Sequence, residues 1–592
     1  MNNRLVGNNL CDESRIAFVH APNIQYQQNY GTYFAPLWIY TLAAYVPSDW
    51  VVAIHDCALQ GVEKVPRAEV FAFSGINQDL ETIKAAHKRV KRDNPDAIFL
   101  IGGPITWSLQ EEGKLGLLDF FDHIFILDGE ITLANFLNEY RAGRGAAVPK
   151  VVLAGRFDLG AARSIDFSLI TPRIKHYYGA IIEVSRGCPY LCDFCDIRVL
   201  PGNNRSAGKP IPLIISELDE YYRLGISQFQ FACDNFIGDR HWAEALVDEI
   251  IAWKVRTGAH ISIFTWLSID LFRFPGLMAK MRRAGVSIVF IGIESVNHNS
   301  LLEAAKIQNT KVLREAVTTI QSFGFIIVPG FVFGFDSDTE TVFADTLEFI
   351  EENGLIGGDP SFLMALPGTP LYRRMKRGGR LVNHQEWTVR SKIETNVRYL
   401  LGRDFWVRGF ISFISRYCDA SFQFSRFRRH MEIVVNSRNL IESDDIGYGS
   451  LYGYLQLQTG NRSHLRMLWK RVCFILGRKE NLATLVRAWF LFRRLSKGRR
   501  GLAVHFRYWL YAWTNIALKY RGLSEQDFLL SSVGEGFDYS DYLRRAFADE
   551  TEGLGEGEKP SPNASSGQCG KESLQRRCTE RALQAVHDGG RK

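Results

Sequence analysis

Long apolar runs are missing from this chain of 592 residues. The first of the two most apolar segments, Phe323–Phe335, is short and contains Pro329. The second, Leu502–Leu518, is interrupted by His505 and Arg507. A membrane-spanning helix needs about 20 consecutive apolar residues. The sequence therefore predicts that no helix crosses a membrane.

Cysteine is also scarce, and most of the ten cysteines are far apart. The polar start MNNRLVGNNLCDESR lacks the charged-then-apolar pattern of a secretory signal. Scattered cysteines without such a signal do not indicate a disulfide framework, so we expect a cytoplasmic protein with reduced thiols. The cysteines are Cys11, Cys57, Cys188, Cys192, Cys195, Cys233, Cys418, Cys473, Cys569 and Cys578.

Charge of one sign is not in large excess, since the formal net charge is +7. This value alone does not indicate a nucleic-acid partner. With 46% hydrophobic and 23% charged residues, the composition is that of an ordinary folded protein. The length is too great for one hydrophobic core and favours about three to four domains.

Residues 1–165 alternate short β-branched runs with helical patterns such as Leu80–Asp93, which predicts a doubly wound parallel sheet of the α/β class. The predicted strands are Arg15–Val19, Val51–Ile54, Val70–Ser74, Ala97–Ile101 and His123–Leu127. Loops at the carboxyl ends of such strands form a binding crevice, and small residues let a large ligand approach the backbone. These loops read Ser74-Gly75-Ile76-Asn77, Gly102-Gly103-Pro104 and Asp128-Gly129-Glu130.

Residues 166–395 repeat the alternation with a different spacing. Six strand–helix units in this length predict a partial (β/α)6 barrel with its site at the carboxyl ends of the strands. The predicted strands are Ala180–Val184, Gln228–Ala232, Ile261–Thr265, Ser287–Ile293, Gly330–Phe335 and Phe362–Ala365. The predicted helices include Leu213–Leu224, Trp242–Thr257 and Lys311–Phe323.

The last part of the chain has a different character. Residues 396–537 are helical, aromatic and basic in pattern, which predicts a helical domain. Residues 538–592 contain the run EGLGEGEKPSPNASSGQCGKES, whose composition is typical of a disordered tail.

Cys188, Cys192 and Cys195 form a C-x3-C-x2-C cluster directly after the first predicted barrel strand. Three thiolates on one tight loop can hold three irons of a 4Fe–4S cluster and leave the fourth iron open for chemistry. The alternative is a zinc site, which normally needs four ligands, often as two C-x2-C pairs. No second pair and no histidine lie nearby, so the spacing favours the cluster.

With an aromatic residue before its last cysteine, this motif resembles the signature of the radical S-adenosylmethionine (SAM) superfamily. The resemblance implies that the open iron chelates SAM and that cleavage of SAM yields a 5′-deoxyadenosyl radical. It also places Phe194 near the adenine, where the alternative is a simple apolar anchor of the loop. Further motifs resemble the family in order: Cys233-Asp234-Asn235-Phe236, Gly292-Ile293-Glu294-Ser295, Gly330–Asp336 and Ala365–Tyr372.

These motifs imply roles for three more side chains. Asp234 and Asn235 would contact the methionyl amino group of SAM, and Glu294 would lie near its ribose. Relatives commonly have an acidic residue where this chain has Cys233, so the resemblance assigns Cys233 no role.

The first domain resembles the cobalamin-binding Rossmann-like module that precedes the barrel in one subgroup of this family. The resemblance rests on Ala35-Pro36-Leu37 and on the three small-residue loops. It implies that the corrinoid lies against Ser74, Gly75, Asn77, Gly102, Gly103, Gly129 and Glu130. The D-x-H-x-x-G motif that supplies a cobalt ligand elsewhere is absent, because His55-Asp56 has the reverse order. We therefore predict base-off cobalamin without a histidine ligand.

The third region lies where some relatives, including hopanoid methylases, carry an extra helical domain. From Arg466 to Arg521 it holds fourteen basic residues and one acid, Glu480, with eleven aromatic residues between them. Such a segment suits an anionic membrane surface and a lipid-like substrate. A second interpretation is that the segment binds nucleic acid. A third is that it forms a packed helical lid with a solvated basic face.

The resemblance implies a radical SAM enzyme that methylates an unactivated carbon of a small-molecule or lipid-like substrate. SAM would serve twice, as radical source and as methyl donor, and a flavodoxin- or ferredoxin-type protein would supply electrons. A cyclase or ring-rearranging enzyme with the same cofactors is an alternative. A cluster- or corrinoid-based sensor that binds nucleic acid is another, although nucleic acid is the less favoured partner. The motifs do not identify the substrate.

Overall fold

The computed structural model describes residues 14–23, 34–177, 179–306, 310–382, 393–442 and 462–546. Within these ranges the chain forms two parallel sheets of six strands each, followed by a helical region. The predicted α/β class and its order of regions are confirmed. The domain boundaries drawn from the sequence stay predictions.

The first sheet is parallel throughout, with strand order β2-β1-β3-β4-β5-β6. Its strands are β1 (Ser14–His20), β2 (Trp50–Asp56), β3 (Val70–Ser74), β4 (Ile98–Gly102), β5 (His123–Ile126) and β6 (Val151–Leu153). The order changes direction between β1 and β3, as in doubly wound sheets that bind ligands at their carboxyl edge. The sequence prediction missed β6, because this edge strand has three residues and two of them are exposed.

Six α-helices accompany this sheet among the residues that the structure describes. They are α1 (Leu37–Ala43), α2 (Cys57–Gln60), α3 (Leu80–Asp93), α4 (Pro104–Glu111), α5 (Glu130–Arg141) and α6 (Phe167–Ile170). Helix α3 has the predicted bounds because Leu80, Ile83 and Val90 recur on one face, which packs against the sheet.

The second sheet is also parallel and curls into a six-stranded partial barrel, with strand order β14-β13-β12-β11-β10-β7. In chain order the strands are β7 (Ala180–Glu183), an antiparallel pair β8 (Ser185–Arg186) and β9 (Ala207–Gly208), β10 (Gln228–Ala232), β11 (Ser262–Leu267), β12 (Val286–Glu294), β13 (Ile326–Phe333) and β14 (Ser361–Phe362). The sequence prediction of a partial (β/α)6 barrel is confirmed.

Strand β13 begins earlier than predicted and includes Pro329. A proline lacks the N–H of a sheet hydrogen bond and is tolerated where one edge of a strand is free. Strand β14 pairs with β13 only at Val332 and Phe333, so Pro329 lies before this pairing begins.

Seven helices belong to the barrel region. They are α7 (Ile211–Arg223), α8 (Arg240–Thr257), α9 (Pro275–Ala284), α10 (His298–Glu303), α11 (Thr310–Ser322), α12 (Val342–Glu352) and α13 (Pro370–Arg377). Helix α8 begins at a cap in which Asp239 accepts a hydrogen bond from the Trp242 amide. It ends at Gly258, whose positive φ of 66° favours glycine.

The third region consists mainly of helices, as predicted. They are α14 (Arg403–Cys418), α15 (Ala420–Val435), α16 (Arg462–Leu476), α17 (Lys479–Ser496), α18 (Ala503–Lys519) and α19 (Tyr539–Ala546). A short parallel pair, β15 (Arg398–Tyr399) and β16 (Ser531–Ser532), joins the two ends of this region. Phe427 and Trp509 stack at 4.7 Å between ring centroids. Their cluster includes Ile288 and Ile326 of the barrel, so the helices and the barrel share a core.

The tail prediction was wrong for its first residues, because α19 lies within the segment 538–592. Tyr542 is buried and packs against Gly378, and its hydroxyl donates to Asp336 at 3.2 Å. One apolar face is enough to hold this short helix against the barrel. The Gly/Ser/Pro/Glu-rich run itself lies outside the described residues.

No described helix is both long enough and apolar enough to span a bilayer.

The core position of Trp509 gives a test of the packing. Trp509 is fully buried, whereas Trp469 on α16 has 68% of its surface exposed. We expect Trp509→Ala to lower the free energy of unfolding by about 3–5 kcal/mol, because it removes a large buried ring. Denaturant unfolding followed by far-UV circular dichroism measures the change. The matched control Trp469→Ala should shift it by no more than about 0.5 kcal/mol. Equal changes in the free energy of unfolding for the two variants would contradict the core position of Trp509.

Candidate active site

The three clustered cysteines lie on the loop that follows β8, which we call the cysteine loop (residues 187–196). Gly187 opens it with a φ of 92°, and a Cβ at this position would clash with the carbonyl oxygen of Arg205. Only glycine fits this turn without strain. The Cys188 amide then donates to the Asn203 carbonyl at 2.9 Å, which fixes the first cysteine.

Buried ion pairs hold the middle of the cysteine loop. The Asp193 carboxylate lies 2.7 Å from the Arg374 guanidinium, which also reaches Glu303 at 3.2 Å. The Asp193 backbone donates to Ala304 and accepts from Leu371, both at 3.1 Å. Elements that follow β12 and β14 therefore fix a loop that follows β8.

The three thiols are free and half-buried. Burial raises the pKa of all three thiols, to about 12 for Cys195. A cation is therefore needed to ionise them near neutral pH. Within the described ranges, no three His, Cys, Asp or Glu side chains converge on one point as the ligands of a single metal ion do. A 4Fe–4S cluster instead binds each thiolate through a separate iron.

The residues after β10 contact the cysteine loop directly. Asp234 accepts the Gly187 amide at 2.6 Å, and the Asn235 side chain donates toward the Cys188 sulfur at 3.9 Å. Burial raises the pKa of the Asp234 carboxyl. Cys233 points elsewhere, since its sulfur lies 3.3 Å from the Thr265 hydroxyl on β11. The geometry thus gives Asp234 and Asn235 a supporting role for the loop, and their contacts to SAM stay predictions.

Phe194 belongs to the cysteine loop, and Glu294 lies at the end of β12. The Phe194 ring meets the buried Phe335 ring edge-on at 6.3 Å. Glu294 ends β12 with a φ of 64°, and its carboxylate pairs with Lys306 at 2.5 Å. Strain of this kind at a strand end is typical of functional sites.

Lys306 was missed by the sequence prediction. Its ammonium group interacts electrostatically with Cys192 and Cys195 as well as with Glu294. Burial opposes its charge, but Glu294 and the two cysteines together outweigh burial and raise the pKa of Lys306. A single lysine after an unremarkable helix gives no pattern that could have revealed this contact.

A cavity of about 770 Å³ lies between the carboxyl edge of the first sheet and the barrel; we call it the interdomain cavity. Of the residues predicted to meet a corrinoid, the structure places these on its wall: Ser74, Asn77, Gly102, Gly103, Gly129 and Glu130. Gly75 is the exception, because it packs against Ile83 and Asp79 instead. The small size of Gly75 lets the turn pack in this way, and its contact with a corrinoid stays a prediction.

The wall of the interdomain cavity offers both shape and unsatisfied polar atoms. Gly103 has a φ of 84°, and a Cβ there would clash with the Ser74 hydroxyl. The Asn77 Oδ1 and Trp107 Nε1 atoms are buried and have no hydrogen-bond partner among the described residues. Asn77 is held by a 2.7 Å bond to Ser108. A flat macrocycle with amide side chains fits this wall.

His55 does not border the interdomain cavity. It lies on the edge strand β2, where its Nε2 is 2.6 Å from the Gly61 carbonyl oxygen. Base-off binding stays a prediction.

Arg186, next to the cysteine loop, joins the barrel to the first sheet. Its guanidinium lies 2.5 Å from Glu130, 2.7 Å from Glu183 and 3.6 Å from Asp128. Burial opposes its charge, but the neighbouring carboxylates raise the pKa of Arg186. Arg156 makes a second connection: its guanidinium donates to the Asp128 carboxylate at 2.7 Å and to the Asn203 side-chain oxygen at 2.6 Å.

A second cavity, of about 790 Å³, lies inside the barrel; we call it the barrel cavity. It reaches from Gln228 and Ile288, in the first half of their strands, to Glu294. Helix α18 forms one side of it. Among the described residues, Leu37 is the one that borders both cavities.

The aromatic residues of the third region separate into two groups. Trp509 and Trp513 of α18 are fully buried, which supports the packed-lid reading for this helix. Trp469, Trp489 and Phe490 of α16 and α17 are exposed. Most of the fourteen basic residues are also exposed.

Comparison with known proteins supports the sequence motifs. The profile of the radical SAM superfamily matches residues 182–350. An uncharacterized methyltransferase of Synechocystis is 30% identical over 362 residues, which cover 60% of this chain and 65% of the relative. The hopanoid C-2 methylase of Rhodopseudomonas palustris is 36% identical over 232 residues, or 39% of this chain and 42% of the relative. The chain thus matches less than two thirds of the length of both relatives.

The fold also resembles a solved structure. The cobalamin-dependent SAM radical enzyme OxsB, with aqua-cobalamin and SAM bound, superposes with a TM-score of 0.53 at 14% identity. The match covers 90% of this chain and 84% of OxsB. At this identity the likeness concerns the fold.

The ion pairs of Arg186 give a test of the junction. We expect Arg186→Met to cost about 3–5 kcal/mol of stability, because it leaves buried carboxylates without a cation. The thermal midpoint should fall, and so should the amount of hydroxocobalamin retained after gel filtration. The matched control Arg256→Met, on the exposed face of α8, should change neither quantity. An Arg186→Met protein that keeps both would show that the junction does not depend on this residue.

Proposed function

Residues 182–350 carry a radical SAM domain, and from this premise we propose that the protein is a cobalamin-dependent radical SAM methyltransferase. The position of the cysteine loop between two cavities is the observation that carries the proposal. Asp196 of the loop borders the interdomain cavity, and Glu294, paired with Lys306 beside the cysteines, borders the barrel cavity. A methyl donor and a substrate could therefore lie on opposite sides of the same loop.

Cys188, Cys192 and Cys195 would hold the cluster, and the interdomain cavity would hold the corrinoid. When bound, the cluster supplies the reducing electron for SAM cleavage and the corrinoid supplies a methyl group. The Asn235 amide, which donates toward the Cys188 sulfur, and the Lys306 ammonium favour negative charge on the thiolates. Both side chains therefore stabilise the cysteine loop in its ligand-binding state.

The residues around this loop suit SAM and a corrinoid. We assign Asp234, Asn235 and Glu294 to the polar groups of SAM and Phe194 to its adenine. Asn77 Oδ1 and Trp107 Nε1 would pair with the amide groups at the corrin edge, since both atoms lack partners among the described residues. A ferredoxin- or flavodoxin-type protein would supply the electrons.

Helices α16 and α17 present a surface that suits an anionic membrane. Leu465, Trp469, Val472 and Leu476 recur at helical spacing on α16 and are 37–68% exposed. On α17, Phe490 is 67% exposed. Both helices also carry exposed basic residues, including Arg466, Lys470, Arg493 and Arg494. We propose that this face, which we call the α16–α17 face, lies on the membrane and brings the enzyme to a lipid-like substrate.

Cofactor content tests the cysteine assignment. In protein reconstituted without oxygen and supplied with hydroxocobalamin, we expect about four irons and one corrinoid per chain. The Cys188→Ala/Cys192→Ala/Cys195→Ala variant should lose the iron and keep the corrinoid, because the two sites use different residues. Iron, sulfide, zinc and corrinoid analyses measure this. The control Cys473→Ala, at an exposed free thiol, should change nothing. Zinc in place of iron would contradict the proposal.

The same preparation separates methylation from the cyclase alternative. With a strong reductant and trideuteriomethyl-SAM, the proposed enzyme forms 5′-deoxyadenosine and passes the label to the corrinoid and the product. Deoxyadenosine without label transfer would favour a cyclase or a ring-rearranging enzyme. A protein that loads both cofactors but forms no deoxyadenosine would favour a sensor.

Vesicle binding tests the α16–α17 face. We expect flotation with vesicles that contain phosphatidylglycerol, and weaker binding to phosphatidylcholine alone or at high salt. Trp469→Ser with Phe490→Ser should reduce the bound fraction at least about fivefold, since both rings would enter the interface. The control Val255→Ser changes an 80% exposed residue of the barrel and should bind normally. Unchanged flotation of the double variant would overturn the membrane assignment.

A further inference from the structure

The barrel cavity combines walls from two regions of the chain. Strands β10 to β13 contribute inward-facing side chains such as Phe264, Trp266 and Phe290. Helix α18 contributes side chains at helical spacing along one face: Tyr508, Tyr511, Ala512, Asn515, Ile516 and Lys519. At about 790 Å³ the cavity has the size of a small-molecule site, and most of its wall is apolar or aromatic.

The charged side chains that border the barrel cavity are compensated. Glu294 pairs with Lys306 at 2.5 Å, and Asp359 pairs with Lys519 at 2.8 Å. Burial lowers the pKa of His20 to about 4, so this histidine is neutral at pH 7. An ionic ligand would therefore lose its hydration without finding an unpaired opposite charge on the described wall.

Two neutral amides that border the barrel cavity, Gln228 of β10 and Asn515 of α18, are not satisfied. Gln228 is only 8% exposed, and neither its Nε2 nor its Oε1 has a hydrogen-bond partner among the described residues. The Oδ1 of Asn515 is likewise buried without one. Buried polar atoms in folded proteins are nearly always paired, so these three atoms mark a place where a ligand completes the bonding.

We propose that the barrel cavity binds a neutral, largely apolar substrate and holds its one polar group, a hydroxyl or an amide, through Gln228 and Asn515. This inference rests on the proposed function and adds the substrate class. A hydroxyl or amide offers both a donor and an acceptor, which Gln228 requires. An apolar skeleton fits the aromatic remainder of the wall.

The position of Gln228 also predicts where the reaction occurs. Gln228 begins β10, and the strand ends at Ala232 beside the residues that support the cysteine loop. Four residues of extended strand span about 13 Å. A polar group held by Gln228 therefore lies far from the cluster, so the carbon that reacts is remote from that group.

Binding of defined amphiphiles tests the proposal without turnover. The probes are cholestanol and hexadecanol, each compared with its parent hydrocarbon and its sulfate ester, delivered in cyclodextrin to the reconstituted holoprotein. We expect at least one alcohol to bind about tenfold or more tightly than its hydrocarbon, since only the alcohol satisfies the amides. The sulfate ester should bind weakly. Gln228→Leu and Asn515→Leu should each reduce the preference for the alcohol.

Matched variants give the experiment its controls. Ala512→Phe fills the cavity and should abolish binding of every probe, whereas Val255→Ala, on the outer face of α8, should leave it unchanged. Iron content, corrinoid content and the formation of deoxyadenosine are measured in the same samples. A failure of the proposed function is thereby distinguished from a failure of the substrate proposal. Equal binding of alcohol and hydrocarbon, a preference that survives both leucine variants, or no binding of either alcohol would overturn the proposal.

Discussion

A largely buried guanidinium links the two sheets. Arg186 lies next to the cysteine loop and contacts Glu183 of the barrel and Glu130 at the start of α5, which packs on the first sheet. The buried Glu130 carboxylate would be costly without a cation, so its contact with Arg186 stabilises the junction between the two sheets. This contact fixes the position of the cysteine loop relative to the wall of the interdomain cavity. The roles proposed for the two cavities depend on that relative position.

Much of this arrangement could be predicted from the sequence, because local patterns encode it. The apolar runs of both sheets, the spacing of Cys188, Cys192 and Cys195, and the small-residue loops are all short-range signals. Gly75 shows the limit of such signals, since a glycine can serve packing as well as ligand approach. Lys306, Gln228 and Asn515 could not have been found, because their importance arises from contacts between segments far apart in the chain. Strand β6 was too short for any periodicity.

The basic, aromatic region illustrates how burial divides a pattern that looks uniform in the sequence. The aromatic residues of α18 belong to a core shared with the barrel, and its opposite face borders the barrel cavity. Those of α16 and α17 include the exposed rings of the α16–α17 face. One compositional signal therefore contains a structural part and a surface part. The same helix that completes the fold also contributes Asn515 to the proposed substrate site.

Leu37 borders both cavities, and this has a consequence for chemistry that needs two compartments. A partition one side chain thick allows a small group to pass over a short path while it bars a corrin ring or a polycyclic skeleton. Transfer between the compartments then requires a rotamer change rather than a movement of whole domains. The side-chain volume at position 37 would act as an aperture, so a smaller residue there would widen the passage and admit water with it.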